Sequence, residues 1–294
     1  MKTANAKTVK PFGMKDKLGY LFGDFGNDFT FILSTMILTK FYTDVMGVSA
    51  AVIGTIMMLA RFVDAVTDVA MGRICDRSKV TANGKFKPWI LRMCIPVAVA
   101  SFLMYQSGLA GLPTNVKILY LAITYILWGS FCYTGINIPY GSMASAISAE
   151  PGDRQSLSTF RTMGGMLAGM VIGILLPLIA YEKITLADGT IKETLIGSRV
   201  TLAAGIFSIL AILCYLLCYK LITERVVVES TGEKAPSVGQ MLKSAFSNRA
   251  LISIIVASIV MLLAQLTMQN MAAYIYPDYY NSAAAQSAST MLMM

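Results

Sequence analysis

The chain contains no histidine, only two tryptophans and, across 294 residues, only 16 acidic side chains. Without an imidazole there is no histidine proton relay and no Ser-His-Asp triad. Charged residues make up 14% of the sequence, against about 25% in soluble domains. Cysteine is sparse too. Cys75, Cys94, Cys132, Cys214 and Cys218 are odd in number, fall in or beside apolar stretches and show no C-x-x-C spacing. They indicate neither a disulfide framework nor a zinc site, and read as small apolar packing residues. The run Gly84-Lys85-Phe86-Lys87-Pro88-Trp89 lacks the G-x-x-x-x-G-K-[ST] pattern of a phosphate loop; its proline and interfacial tryptophan suit the start of a helix.

What is present is apolar: 56% of the residues are hydrophobic and the mean hydropathy is +0.64. Windows long enough to cross about 30 Å of hydrocarbon at about 1.5 Å per residue recur along the chain. Seven are found, at about 18–45, 49–73, 89–109, 117–148, 157–181, 198–221 and 250–276, which predicts an all-α polytopic membrane protein. The formal charge of +8 points to a bilayer rather than to nucleic acid, because the basic residues gather in alternate loops. Lys2, Lys7, Lys10, Lys15 and Lys17 precede the first window, six more basic residues from Arg73 to Arg92 surround the second loop, and another group flanks the sixth window. The positive-inside rule therefore places the N-terminus in the cytoplasm. The basic start resembles the n-region of a signal peptide, but the apolar stretch after it is long, contains Asp24 and Asp28 and offers no small-residue cleavage site, so it reads as a retained first helix.

The longest polar interval, Thr223 to Gly239, reads as a cytoplasmic linker. Val238, Met241, Leu242, Ala245 and Phe246 follow at helical spacing, so a short amphipathic helix on the membrane surface is predicted there. This divides the chain into a cytoplasmic start (1–17), a six-helix bundle (18–221), a linker (222–249) and a seventh span with a polar tail (250–294). Intramembrane charge on such a bundle needs a facing partner, since lipid cannot satisfy it. Either a second bundle belongs opposite, making this chain incomplete, or two copies associate.

The second span carries Arg61, Asp64 and Asp68. Each carboxylate at a helix centre costs roughly 2.5 to 3.5 kcal/mol on insertion scales, so their presence asks for a use. Asp64 and Asp68 are i and i+4 and share a face with Arg61, with Thr67 adjoining. Two close acids offer oxygens to a monovalent cation such as Na+, or one proton site. One arginine cannot neutralise both. In the first span Asp28 is a second intramembrane acid, while Asp24, a turn earlier, lies near enough to the cytoplasmic end to be solvated. In the fourth, Tyr133-Thr134-Gly135-Ile136-Asn137-Ile138-Pro139-Tyr140-Gly141 combines hydrogen-bonding side chains with residues that loosen a helix, which suits a polyhydroxyl ligand. In the fifth, Gly165, Gly169 and Gly173 form a stripe for close helix approach. Arg161 precedes the stripe and either snorkels to the near face or serves the polar site.

These residues fall into a recognisable set. Gly72-x-x-x-Asp76-Arg77 resembles the loop signature of the major facilitator superfamily. Phe41-Tyr42-Thr43-Asp44-Val45-x-Gly47, Arg61-x-x-Asp64-x-x-x-Asp68, Gly84 to Trp89 and Tyr125-Ile126-Leu127-Trp128-Gly129 together resemble the glycoside-pentoside-hexuronide:cation symporters, from about residue 15 to 275. The resemblance implies the N-terminal six-helix bundle and seventh helix of a twelve-helix transporter in the bacterial inner membrane, with a C-terminal bundle still to come. It implies a cation site at Asp64, Thr67, Asp68 and Thr134, sugar contacts at Asp28, Tyr133, Asn137 and Arg161, and a conformational gate at Gly72, Asp76 and Arg77. The coupling ion would be Na+ or H+, with Li+ a third candidate; no other cofactor is implied. Asn137 and Gly141 stand where the best-known member, the melibiose permease, has an acid and a tryptophan, so galactoside specificity does not carry over.

The resulting expectation is a secondary transporter of a sugar, glycoside or related polyhydroxyl solute, working by alternating access, and not an enzyme. Two alternatives are a carrier of a lipid or other organic solute and a membrane sugar sensor that does not translocate. An intramembrane aspartyl protease would need its acids on opposing helices and a G-x-G-D run, neither of which occurs at Asp64 and Asp68.

Overall fold

A computed structural model describes residues 11–185, 191–226 and 246–293. Its long helices are α1 (Met14–Lys40), α2 (Ala50–Arg77), α3 (Lys87–Leu103), α4 (Thr114–Ile147), α5 (Pro151–Ala180), α6 (Gly197–Leu221) and α7 (Arg249–Tyr274), with a short α8 (Ala283–Met293) after them. Each of the seven apolar windows coincides with one of these long helices. By length and composition five can cross a membrane: α2, α4, α5, α6 and α7, the last with the turn that extends it to Tyr279. The other two, α1 and α3, depart for visible reasons: α1 is interrupted by Asp24, Asn27 and Asp28, and α3 has 17 residues.

Local chemistry fixes the helix starts. Asp16 accepts from the Gly13 backbone N–H at 3.2 Å ahead of α1, Ser49 accepts from the Val52 N–H at 3.4 Å, and Asn248 accepts from the Leu251 N–H at 3.2 Å. These satisfy amides that a helix N-terminus leaves free. Proline opens α3 and α5, where a missing N–H costs nothing. At α3 the cap comes from far along the chain. Both oxygens of Glu224 accept from the backbone N–H groups of Lys85, Phe86 and Lys87, at 2.6, 2.9 and 2.7 Å. Arg225 holds both oxygens of Asp16 at 3.0 and 2.8 Å. The first residues of the expected linker thus fasten the end of α6 to the starts of α1 and α3. The rest of that linker, and the surface helix expected from Val238, lie outside the described residues up to Ala245.

Helix α1 runs through the middle of the bundle between α5 and α6, α3 packs on α6, and α2 lies along α4. All five cysteines are buried among these helices. Gly164 accounts for the closest approach: a Cβ there would strike the Leu21 carbonyl oxygen of α1. The expected glycine stripe is therefore shifted. Gly164 makes the backbone contact, Gly173 faces Thr290 of α8, and Gly165 opens onto polar groups described below. A hairpin of β1 (Tyr181–Thr185) and β2 (Ile191–Leu195), paired antiparallel with Tyr181 opposite Leu195, joins α5 to α6.

The loosened segment of α4 is not where Gly and Pro suggested. Residues Thr134–Ile147 are regular α-helix with Pro139 inside it, and the irregularity is a π-helical turn at Leu127–Tyr133. Thr134 Oγ1 donates to the Gly129 carbonyl, five residues back, at 3.2 Å, so the extra residue of the wide turn is absorbed before the proline is reached.

Candidate functional site

Two intramembrane clusters hold four aspartates and two arginines. The first is built where α1, α4 and α5 meet. Arg161 Nε donates to Asp24 Oδ1 at 2.9 Å, with Asp24 12% and Arg161 40% exposed. The guanidinium also stands 5.3 Å from the Tyr140 ring centroid, and Tyr140 stacks on Tyr20 at 4.6 Å. The two tyrosines are locked by Tyr140 Oη donating to the Tyr20 carbonyl at 2.6 Å. Here the structure corrects two readings. Arg161 does not snorkel to the near face, and Asp24 is not a solvated end-group: it is buried and supplies the counter-charge that lets Arg161 stay inside.

Asp28, one turn on, makes no hydrogen bond or ion pair among the described residues. The gap at Gly165 gives it room, since a Cβ there would stand 2.6 Å from Asp28 Oδ2 and 3.2 Å from Asp24 Oδ2. Asn137 accepts from Asn27 Nδ2 at 3.4 Å, and Asn27 in turn accepts from Tyr215 of α6 at 2.9 Å. Tyr133 stacks on Phe31 at 5.7 Å and meets the tilted ring of Trp128 at 5.5 Å. The structure thus brings Asp28 and Arg161 to one cluster and ties Asn137 to the same helix α1. It adds Asp24, Asn27, Tyr20 and Gly165, which sequence reading did not place there, and it puts Tyr140 of the polar run against Arg161. The i, i+4 spacing of Asp24 and Asp28 was the one available signal.

The second cluster lies between α2 and α4. Arg61 Nη1 pairs with Asp64 Oδ2 at 3.0 Å, and its Nη2 donates to the Tyr125 hydroxyl. Asp64 Oδ1 accepts from Ser130 at 2.5 Å, and Asp68 Oδ1 accepts from Thr134 at 2.7 Å. Two i, i+4 pairs therefore meet face to face: acids at 64 and 68 on one helix, hydroxyls at 130 and 134 on the other. Thr67 behaves differently from expectation. Its hydroxyl donates to the Val63 and Asp64 carbonyls of its own helix, both at 3.1 Å, because a threonine on a helix finds those acceptors first. Ser130 contacts Asp64, and it falls between the Tyr125–Gly129 and Tyr133–Gly141 runs without belonging to either.

A cavity of about 340 Å3 adjoins this cluster, walled by Phe31, Met57, Arg61, Tyr125, Trp128 and, from α7, Asn270. Since Phe31 and Trp128 also flank Tyr133, the aromatic wall runs from one cluster towards the other. The expected gate residues lie apart, at the end of α2. Gly72 is half-buried, the Asp76 and Arg77 side chains are exposed, and the Asp76 carbonyl accepts from Lys85 Nζ at 3.0 Å.

A bundle of apolar helices whose acids and arginines meet in two clusters on facing helices defines the class: an all-α polytopic membrane protein. Residues 19–294 match the family described as MFS/sugar transport protein, and the chain belongs to that family. It is similar to the symporter YjmB of Bacillus subtilis (strain 168), 30% identical over 88% of this chain and 54% of that protein. It is similar to the inner membrane symporter YicJ of Escherichia coli (strain K12), 36% identical over 58% of this chain and 37% of that one. The glucuronide carrier protein homolog of E. coli is 30% identical over 84% of this chain and 51% of its own length. The chain spans about half the length of the curated relatives it matches.

Proposed function

We propose that this chain forms the N-terminal bundle and seventh helix of a symporter that couples Na+ or H+ to uptake of a sugar, glycoside or uronide in the bacterial inner membrane, with its N-terminus in the cytoplasm. The observation that carries the reading is the division of charge. Each cluster has two aspartates four residues apart and one arginine, and in each the arginine satisfies one acid and, among the described residues, leaves the other without a cationic partner within salt-bridge reach: Asp28 in one, Asp68 in the other.

Asp68, with Asp64, Ser130 and Thr134 around it, offers oxygens only, the ligand type of a small hard cation. Asp28 sits beside Arg161, with Asn27, Asn137 and stacked tyrosines close to the same helices. Carboxylate, guanidinium and amide groups match the alternating donors and acceptors of a polyhydroxyl ring, and aromatic rings stack on its apolar faces. Cation binding at Asp68 removes an uncompensated charge from α2, favours the solute-binding arrangement of α4, which both clusters share, and so links the two occupancies. The remaining helices would supply the opposite wall, and the two bundles would rock about the midplane.

Asp68→Asn in the complete protein tests this. Cation-stimulated sugar uptake in proteoliposomes is expected to be lost while uncoupled solute exchange persists, and uptake that remains cation-stimulated would refute the assignment. Counterflow in the same vesicles separates a carrier from a sensor, which would bind solute without exchanging it.

A further inference from the structure

The far end of α1, on the face that carries the β1–β2 hairpin, holds a third charged group that neither cluster uses. The Lys40 side chain is 1% exposed, and its Nζ lies 2.9 Å from Asp44 Oδ2 and 2.5 Å from Asp278 Oδ2. It also stands 4.5 Å from the centroid of the Tyr274 ring. Asp44 belongs to the π-helical turn that follows α1, whereas Asp278 belongs to the one that follows α7. Thr43 reinforces the junction, donating to Asp44 at 2.8 Å and lying 3.5 Å from the Tyr274 hydroxyl. Away from this end α7 stands apart: from Arg249 to Met268 every residue except Ile252 and Leu266 is exposed.

We infer that Lys40 and Asp278 form a breakable gate between the six-helix bundle and α7 on the hairpin face. The inference rests on the alternating-access reading above. A buried ammonium cannot be left without a counter-charge, and a bond to a single carboxylate across a moving junction would be too costly to open. Two carboxylates solve that problem. Asp44 travels with Lys40 on the same helix and keeps it neutralised when Asp278 departs, and Asp278 is half-exposed, so water takes it up. The junction is thus closed by a charge-assisted bond whose loss strands no charge, beside the neutral bond from Tyr181 Oη to the Ala273 carbonyl at 3.1 Å, while Asn270, one turn before Tyr274, lines the cavity beside Arg61.

The test places a cysteine at Asn270 in the complete protein and times its reaction with a membrane-impermeant maleimide added from the hairpin side of oriented vesicles; the five native cysteines are buried. Asp278→Asn, which leaves Lys40 its Asp44 partner and so preserves the fold, is expected to speed labelling about tenfold, and Lys40→Met at least as much. The exchange Lys40→Asp with Asp278→Lys is expected to bring the rate back towards the parent. Labelling of Asp278→Asn at the parental rate overturns the gate, as does an exchange variant that labels as fast as Lys40→Met. Labelling needs no transport, so cation-stimulated uptake by the parent in the same vesicles reports on the transport reading separately.

Discussion

The two mid-span clusters use the same parts and arrange them differently. Both have aspartates at i and i+4 on one helix, and both have one arginine bound to one of them. In the α1 cluster the arginine comes from another helix, α5, and the acid it binds is 12% exposed. In the α2 cluster the arginine is three residues from its partner on the same helix and is 55% exposed. Arg161 therefore pairs across helices with an acid of α1, whereas Arg61 pairs within α2 and reaches α4 only through the Tyr125 hydroxyl. On the proposed function, the long-range pair under stacked tyrosines would be the floor for a solute, and the local pair beside two hydroxyls would be the site that another cation enters by competition.

That contrast breaks or sharpens under substitution. Arg161→Ala strands Asp24 inside the bundle and is expected to cost about 3 kcal/mol, seen as a lower unfolding temperature in detergent; a loss equal to that of Arg61→Ala would erase the distinction. Gly164→Ala places a methyl against the Leu21 carbonyl and is expected to cost about 2 kcal/mol by forcing α1 and α5 apart, with solute affinity falling as well. Ser130→Ala removes the hydroxyl on Asp64 and is expected to weaken cation affinity about tenfold, with stability near that of the parent. Thr67→Ala in parallel should do less, because its hydroxyl is spent on its own helix. Arg61→Ala is expected to be the mildest for the fold, because Arg61 is 55% exposed and Asp64 keeps its Ser130 partner, and should show instead as altered cation dependence of uptake.

Much of this was legible in the sequence because membranes simplify the code. Seven apolar windows gave seven helices, and Asp64 with Asp68 stood out because the bilayer makes every buried charge conspicuous. Spacing along one helix was also readable, which is why the shared face of Asp64 and Asp68 held. Pairings between helices were not. Nothing local says that Arg161 turns back 137 residues to Asp24, or that Glu224 reaches the amides at 85–87. Those contacts depend on which helix faces which, and glycines such as Gly164 decide that by permitting approach rather than by any polar signal. The π-helical turn at Leu127–Tyr133 was hidden for a related reason. Of the visible helix breakers, Gly135 and Pro139 lie beyond it and only Gly129 lies within it, and Ser130 and Thr134 come to stand opposite the two acids.

The expected gate residues show the same limit from the other side. Gly72, Asp76 and Arg77 are recognisable by pattern, yet a Cβ at Gly72 would meet nothing within 4 Å and the Asp76 and Arg77 side chains are exposed, in a chain that spans about half its relatives' length. Lys40 and Asp278, 238 residues apart, form no pattern and still make an ion pair that joins the end of α7 to the bundle.

The division of labour between the two clusters can be measured directly by binding isotherms on the complete protein, for Na+ with pH varied and for the tightest-binding sugar in a panel of glycosides and uronides. Asp68→Asn should lose the cation dependence and keep solute binding, while Asp28→Asn should lose solute binding and keep the cation response. If both substitutions abolish the same binding event, the clusters are one site and the account is wrong.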